Sequence, residues 1–273
     1  MRQRLRRFNE KDFISMLVDA AAKDISNGYY QVEPITLEKR SLKRAIYHAK
    51  SVPIIAEIKF ASPSAGEIRR STNIRTLARS LERGGAIGLS VLAERKYFNG
   101  ELKYIPEAKS ATGLPILMKD IIIDPIQIEA GHRVGADAIL LIFSIFEHKY
   151  SDYDLKFMID TTHRLGLEVV LEVHTKRQFL QAINFNADIV GVNNRDLSTL
   201  KTSLSTCEDV LAGTRVKNTV IAESGISTRN EVVKLSKLGY RGFLIGSAIM
   251  ASADPESELR TLMPLSGQEN LKN

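Results

Sequence analysis

One pattern recurs along the chain: a polar, helix-like segment ends near a glycine or alanine, and a short apolar run follows. "RGGAIGLSVL", "RVGADAILLI", "RLGLEVVLEV", "NFNADIVGVN" and "KLGYRGFLIG" all repeat it. The glycines suit left-handed helix C-caps, and the runs suit strands buried on both faces. With "VPIIAEIK", "LPILMKD" and "NTVIAES" there are eight candidate strands, ending near Lys59, Ala93, Lys119, Ile142, Glu172, Asn193, Glu223 and Gly246. The spacing leaves room for one helix after each strand. Alternating strands and helices predict a parallel sheet, and a count of eight favours closure into a single-domain α/β fold, a (β/α)8 TIM barrel. An open doubly wound sheet is the alternative, but no G-x-G-x-x-G follows the first strand to support its dinucleotide-binding version.

Helix boundaries are marked in the intervening segments. Asp124 can cap a helix whose first position is Pro125, and Thr228 with Glu231 fits a capping box closed by Gly239. Leu77, Ala78 and Leu81 share one face of their segment. Residues 1–50 precede the first strand and read as an N-terminal helical extension, in "EKDFISMLVDAAAKDI" and "ITLEKRSLKRAIYHAK". Residues 51–263 form the expected barrel domain, and 264–273 a frayed tail.

The 273 residues are 44% hydrophobic, enough for a sizeable core, and no apolar run is long enough to span a membrane. "MRQRLRRF" is basic but is followed by "NEKDF", not by the apolar core of a signal peptide. The single cysteine, Cys207, precludes an internal disulfide and suits a cytoplasmic protein; it reads as a small packing residue. A net charge of +6 permits an anionic partner. Four arginines lie in the first seven residues, yet the remaining basic residues are interspersed with acidic ones and no aromatic–basic interleaving is present. That distribution predicts a solvated arm and no nucleic-acid partner; a small phosphorylated substrate needs only a local positive patch.

"PIIAEIKFASPSAG" places Glu57 and Lys59 where a buried strand ends, and alternation puts Ile55, Glu57 and Lys59 on one face with Ile58 on the other. Charges are seldom buried without a partner or a task. The same happens at other strand ends: Lys119 and Asp120, Glu172, Asn193 and Arg195, Glu223 and Ser224, and Ser247. In a barrel these converge on one mouth, where active sites lie. "ESGIS" and "IGSAIM" follow the seventh and eighth strands, each a glycine leading toward a helix start, the usual phosphate site of such barrels. The five histidines form no close i, i+4 pair and no Cys/His cluster, so no metal is expected; His174 reads as a residue at the rim of the mouth.

Taken together, "PIIAEIKFASPS", "LPILMKDIII", "LEVHT", "GVNNRDL", "IAESGIS" and "FLIGSAIM" resemble the indole-3-glycerol phosphate synthase family of tryptophan biosynthesis, from about Pro53 to Met250. The resemblance implies a cofactor-free carboxy-lyase that closes 1-(2-carboxyphenylamino)-1-deoxyribulose 5-phosphate to the indole, with loss of CO₂ and water. By resemblance, Lys119 is the general acid of ring closure and Glu172 the acid/base of dehydration. Lys59 holds anionic groups and shares proton transfer with Lys119 in a division the sequence leaves open. Glu57 orients lysine and substrate hydroxyls, while Asn193, Glu223 and Ser224 complete the polar lining. Arg195 supports the wall; Lys59, Ser62, Gly225, Gly246 and Ser247 hold phosphate, and Ile226 is a further substrate-binding residue. Phe98, Leu140, Leu197 and Leu244 form the aromatic pocket. Three positions depart from the family's usual residues and bear on that pocket: Phe60 for a basic residue, Ala93 for threonine, and Ile121 for the phenylalanine of Lys-Asp-Phe.

Two other enzymes on such barrels, a phosphoribosylanthranilate isomerase and a histidine-pathway sugar isomerase, are the nearest rivals, and would lean on a cysteine or aspartate acid/base pair. An RNA-binding protein using the arginine arm, or a non-catalytic scaffold, is the alternative from another class. A monomer or weak homo-oligomer is expected.

Overall fold

The computed structural model describes residues 13–263 apart from Ser71, Ser198 and Arg215, so the arginine arm and the expected tail lie outside the described residues. Eight parallel strands close into a barrel: β1 (Ile54–Ile58), β4 (Gly88–Leu92), β5 (Ile116–Lys119), β6 (Ala138–Ile142), β7 (Glu168–Val173), β8 (Ile189–Asn193), β9 (Thr219–Glu223) and β10 (Gly242–Ile245). β1 closes the ring by pairing with both β4 and β10. A small antiparallel hairpin, β2 (Ala61–Ser62) and β3 (Gly66–Glu67), follows β1. Among the described residues no helix is long and apolar enough to cross a membrane.

Period-two alternation divides the apolar side chains into two layers. Ile55, Leu117, Leu140, Val170, Ile189, Ile221 and Leu244 belong to one cluster that fills the barrel. Ile54, Ile58, Leu89, Val91, Ile139, Leu141 and Phe243 belong to a second, between the sheet and its helices. Burying each such side chain is worth about 1.5–3 kcal/mol, so both faces of every strand resist a register slip. The sequence-marked helix starts are present. Asp124 caps α5 (Pro125–Arg133), and Thr228 with Glu231 forms the capping box of α10 (Arg229–Lys237).

Before the first strand the chain departs from the expected continuous helices. α1 (Phe13–Ser26) forms, but of residues 35–50 only α2 (Leu42–Tyr47) is helical. The segment between runs alongside α5, where Ile35 N–H donates to the Arg133 carbonyl (2.8 Å) and Lys39 Nζ to the Ala136 carbonyl (3.0 Å). These partners draw the backbone out of helix. α1 lies at the C-terminal mouth, where Tyr29 Oη bonds the Ala93 carbonyl (3.2 Å) and Tyr30 Oη bonds Asp120 (2.8 Å). α2 lies at the opposite end: Leu42 packs on Gly88 and Ile46 on Gly242, both at strand starts. Glu168, the first residue of β7, accepts from the Leu42 and Lys43 N–H groups at the α2 N-terminus (2.8 and 3.0 Å), where a carboxylate is favoured.

Below the barrel, Lys109 and Asp137 form a fully buried ion pair at 1% and 0% side-chain exposure. Asp137 also accepts from the Arg40 and Ile116 N–H groups (2.7 and 2.8 Å), tying the segment before α2 to β5. Removing one partner of a buried pair strands the other charge. Lys109→Met should therefore cost about 3–5 kcal/mol in urea unfolding; a change within experimental error would mean that the pair bears no such burden.

Candidate active site

On strand after strand, an apolar inward side chain is followed two residues later by a polar one. Ile55 precedes Glu57, Leu117 precedes Lys119, Val170 precedes Glu172 and Ile221 precedes Glu223. The apolar residues floor the barrel and the polar ones stand above them at the mouth. Lys119 Nζ donates to Glu172 Oε2 (3.0 Å) and to Glu223 Oε2 (2.8 Å), joining β5, β7 and β9. Across the mouth, Lys59 Nζ lies 2.6 Å from Glu57 Oε1. His174 Nε2 lies 3.2 Å from the second oxygen of Glu172.

Two glycines make the room for this arrangement. A Cβ on Gly191 would fall 2.0 Å from Glu223 Oε1, and one on Gly246 would fall 2.5 Å from Glu57 Oε1. Any side chain at Gly246 therefore displaces Glu57 as well as crowding whatever binds beside it. Ser224 and Gly225 both adopt left-handed backbone (φ 65° and 74°), sharply turning the chain out of β9. Gly246 turns the chain from β10 into α11 (Ser247–Ala251).

The electrostatics follow from burial and from the placing of charge. Burial opposes ionisation of Lys119, but Glu172, Glu223 and Glu57 outweigh it and hold the ammonium above its ordinary range. Burial likewise opposes the Glu172 carboxylate, and Lys119, His174 and Asn193 overcome it, keeping this group well below the usual carboxylate range. Glu223 goes the other way: burial, together with repulsion from Glu172 and Glu57, prevails over Lys119 and pushes it up to about 7. Its Oε1 has no hydrogen-bond partner among the described residues.

A cavity opens above these groups. Glu57, Lys59, Ser62, Lys119, Glu172, Asn193, Arg195 and Ser224 supply its polar wall, and Phe98, Leu140 and Leu197 part of its apolar wall. Glu223 meets it through Lys119. Arg195 is fixed by bonds from Nη1 to Ser64 Oγ (2.8 Å) and the Leu200 carbonyl (2.9 Å), and burial lowers its pKa. Gly225, Gly246 and Ser247 stand at the ends of β9 and β10, beside Ser224 and Glu57. Two expected binding residues sit elsewhere. The Ile226 side chain packs in the layer between sheet and helices, and Leu244 lies in the barrel filling instead of the cavity wall. Of the three departures from the family pattern, only Ile121 reaches the cavity. Phe60 and Ala93 face outward, Phe60 edge-on to Tyr104 at 5.7 Å.

Several lining residues escaped the sequence reading. Phe13 and Leu17 come from α1, far from any strand end, and only their apolar spacing on a helix hinted at a covered surface. Glu94 is buried and accepts from the Lys96, Tyr97 and Phe98 N–H groups (3.1, 2.8 and 3.0 Å), so it shapes the loop that presents Phe98. Cys207 is fully buried, its thiol pushed up by burial to about 12, which removes it as the acid/base of an isomerase. Among the described residues no group of three or more His, Cys, Asp or Glu is placed to hold a metal ion.

Asp120, also in the cavity wall, accepts from Tyr30 Oη and from the Ile121 N–H (both 2.8 Å). Burial nevertheless carries its carboxyl from 3.8 up to about 7. The folded protein then keeps a proton that the unfolded chain has released. This contribution favours folding below the lower value and is lost as pH rises through about 7. Asp120→Asn should flatten that part of the pH dependence: unfolding free energy between about pH 4 and pH 8 should fall less in the variant than in the parent. Parallel pH profiles would contradict the assignment.

The sequence model of the indole-3-glycerol phosphate synthase family matches residues 12–262. The indole-3-glycerol phosphate synthase of Caldanaerobacter subterraneus subsp. tengcongensis is 41% identical over 199 residues, covering 73% of this chain and 76% of that one. The same-named protein of Desulforamulus reducens is 34% identical over 230 residues, covering 84% and 85%. Among solved structures, the N-acetylmannosamine-6-phosphate 2-epimerase of Clostridium perfringens superposes with a TM-score of 0.59 at 16% identity, over 78% of this chain and 93% of that one. Thiamine phosphate pyrophosphorylase of Pyrococcus furiosus gives 0.56 at 16% identity, over 81% and 96%. At that identity the two structures speak for the barrel alone, whereas the family model and the sequence relatives extend over its strands and the charged mouth: the chain belongs to the indole-3-glycerol phosphate synthase family.

Proposed function

We propose that the cavity above Lys119 is where this enzyme closes the indole ring. The chain is an indole-3-glycerol phosphate synthase, a carboxy-lyase that converts 1-(2-carboxyphenylamino)-1-deoxyribulose 5-phosphate to indole-3-glycerol phosphate, CO₂ and water. The observation that carries the assignment of roles is the Lys119 ammonium, 2.8–3.0 Å from two buried carboxylates beneath a partly apolar cavity.

The substrate is extended, and its aryl carbon must be brought against its ketone. Phe98, Leu140 and Leu197, with Phe13, Leu17 and Ile121, offer the aryl ring an apolar seat. Lys59 and Ser62 in the cavity wall, with the turns at Gly225, Gly246 and Ser247 at the neighbouring strand ends, receive the phosphate. Holding both ends in near-attack geometry replaces a costly search by one bound conformation. As the ring carbon bonds to the ketone carbon, the ketone oxygen takes a proton from Lys119, which its carboxylate neighbours keep in the acid form. CO₂ then leaves, and its bonding electron pair restores the ring system. Loss of the new hydroxyl as water requires a proton for the oxygen and a base for the departing ring proton. Glu172, held as the carboxylate, is the base, and Lys59, in the wall of the same cavity, shares the acid role. Glu57 and Asn193 orient these groups, with Ser224 and Arg195 completing the wall.

Incubating the protein with the carboxyphenylamino substrate should produce indole fluorescence. Lys119→Arg preserves the charge between Glu172 and Glu223 but cannot readily release a proton, so turnover should fall by about 10²–10⁴-fold. Lys119→Met is a poorer probe, since it strands two buried carboxylates. Glu172→Gln should accumulate a ring-closed, decarboxylated species before indole in single turnovers. Wild-type rates in the arginine variant, or no such species in the glutamine variant, would remove the respective role.

A further inference from the structure

The inward alternation of β7 does not stop at Glu172. His174, just past the strand, continues it, and its side chain is 11% exposed. Its backbone is pinned: the His174 N–H donates to Gln178 Oε1 (2.9 Å), and Gln178 Nε2 donates to Glu147 Oε2 (2.9 Å). Its ring is not. Neither imidazole nitrogen has an aligned hydrogen-bond partner, although Nε2 stands 3.2 Å from Glu172 Oε1, already within bonding distance. A buried imidazole that touches a carboxylate without an aligned hydrogen bond from either nitrogen is uncommon in a folded protein and calls for a reason.

The reason is found on the other side of the same carboxylate. Glu172 Oε2 is bound by Lys119, and Lys119 also bonds Glu223 from β9. When the ammonium turns to the substrate ketone, Glu172 loses that partner while Oε1 still faces the imidazole. Hydrogen bonds of catalytic groups are often loose before substrate binds and tighten afterwards. We propose that His174 is the positioning residue for Glu172, its Nε2–H swinging into line with Oε1 to hold the carboxylate toward the substrate while Lys119 is engaged elsewhere. The inference rests on the reading of Glu172 as the acid/base of dehydration. It requires no new bond-making step, only a small rotation of a ring whose nitrogens have no aligned hydrogen-bond partner among the described residues.

A double-mutant cycle tests it. His174→Leu and His174→Gln are made in the parent and in the Glu172→Gln background, and single turnovers are followed with the carboxyphenylamino substrate. In the parent, His174→Leu should slow dehydration about tenfold, the worth of one charge-assisted hydrogen bond, with KM little changed. His174→Gln, which keeps a donor, should recover most of the rate. In the Glu172→Gln background, His174→Leu should add no further loss, because a residue acting through Glu172 has nothing left to position. Thermal melts identify a variant that fails to fold, and His174→Asn, polar but too short to reach Oε1, then replaces the leucine variant in the cycle. Parent-like dehydration in His174→Leu, or an equal loss in both backgrounds, overturns the proposal and leaves the role of Glu172 standing. Parent-like turnover in Glu172→Gln alone would instead overturn the role of Glu172, and the proposal with it.

Discussion

The mouth of this barrel is organised around a single ammonium group. Lys119 is the only cation bonded to both Glu172 and Glu223 among the described residues, and without it two carboxylates would share a buried site with no compensating charge. Three carboxylates, Glu57, Glu172 and Glu223, face two lysines, Lys59 and Lys119. With Glu223 pushed up to about 7 and able to keep its proton, the group balances near neutrality. The same field separates the two carboxylates: Glu172 is held ionised, whereas Glu223 is pushed up to about 7 and exchanges its proton near neutral pH. Pairs of titratable groups driven apart by their surroundings commonly take opposite acid and base duties.

That arrangement depends on space as much as on charge. Glu223 lies where a side chain on Gly191 would be, and Glu57 where one on Gly246 would be, so the backbone of each neighbouring strand has been pared back to admit a carboxylate. Above, α1 contributes Phe13 and Leu17 to the cavity and is tied to the strand ends through Tyr29 and Tyr30. Below, Glu168 and Asp137 hold the segment around α2 against the strand starts. The chain ahead of β1 thus braces the barrel at both ends, and the cavity owes part of its apolar wall to it.

Most of the barrel was legible because its signal is periodic. Each predicted strand end falls within one residue of the observed one, from Lys59 against Ile58 to Gly246 against Ile245. Alternation alone sets Ile55, Glu57 and Lys59 on one face of the first strand, and the barrel turns that face inward. Non-local contacts were beyond that reach. Residues 35–41 look helical by composition, yet bonds to Arg133 and Ala136 draw them straight. Ile226 follows a phosphate-type turn in sequence, but the left-handed pair Ser224–Gly225 reverses the chain and sends its side chain into the outer layer. Likewise, Phe60 and Ala93 could be judged against the family pattern but not seen to face away from the cavity.

The central claim is that Lys119 sets the ionisation of both its carboxylate neighbours, and NMR titration of ¹³C-labelled glutamate carboxyls measures this directly. In the parent, the Glu172 resonance should show no titration step in the ordinary carboxylate range, whereas Glu223 should titrate at about 7. In Lys119→Met both should move upward, Glu172 by more, because it is the one Lys119 holds ionised against burial. Titration curves for Glu172 and Glu223 that are the same with and without Lys119 would contradict the account.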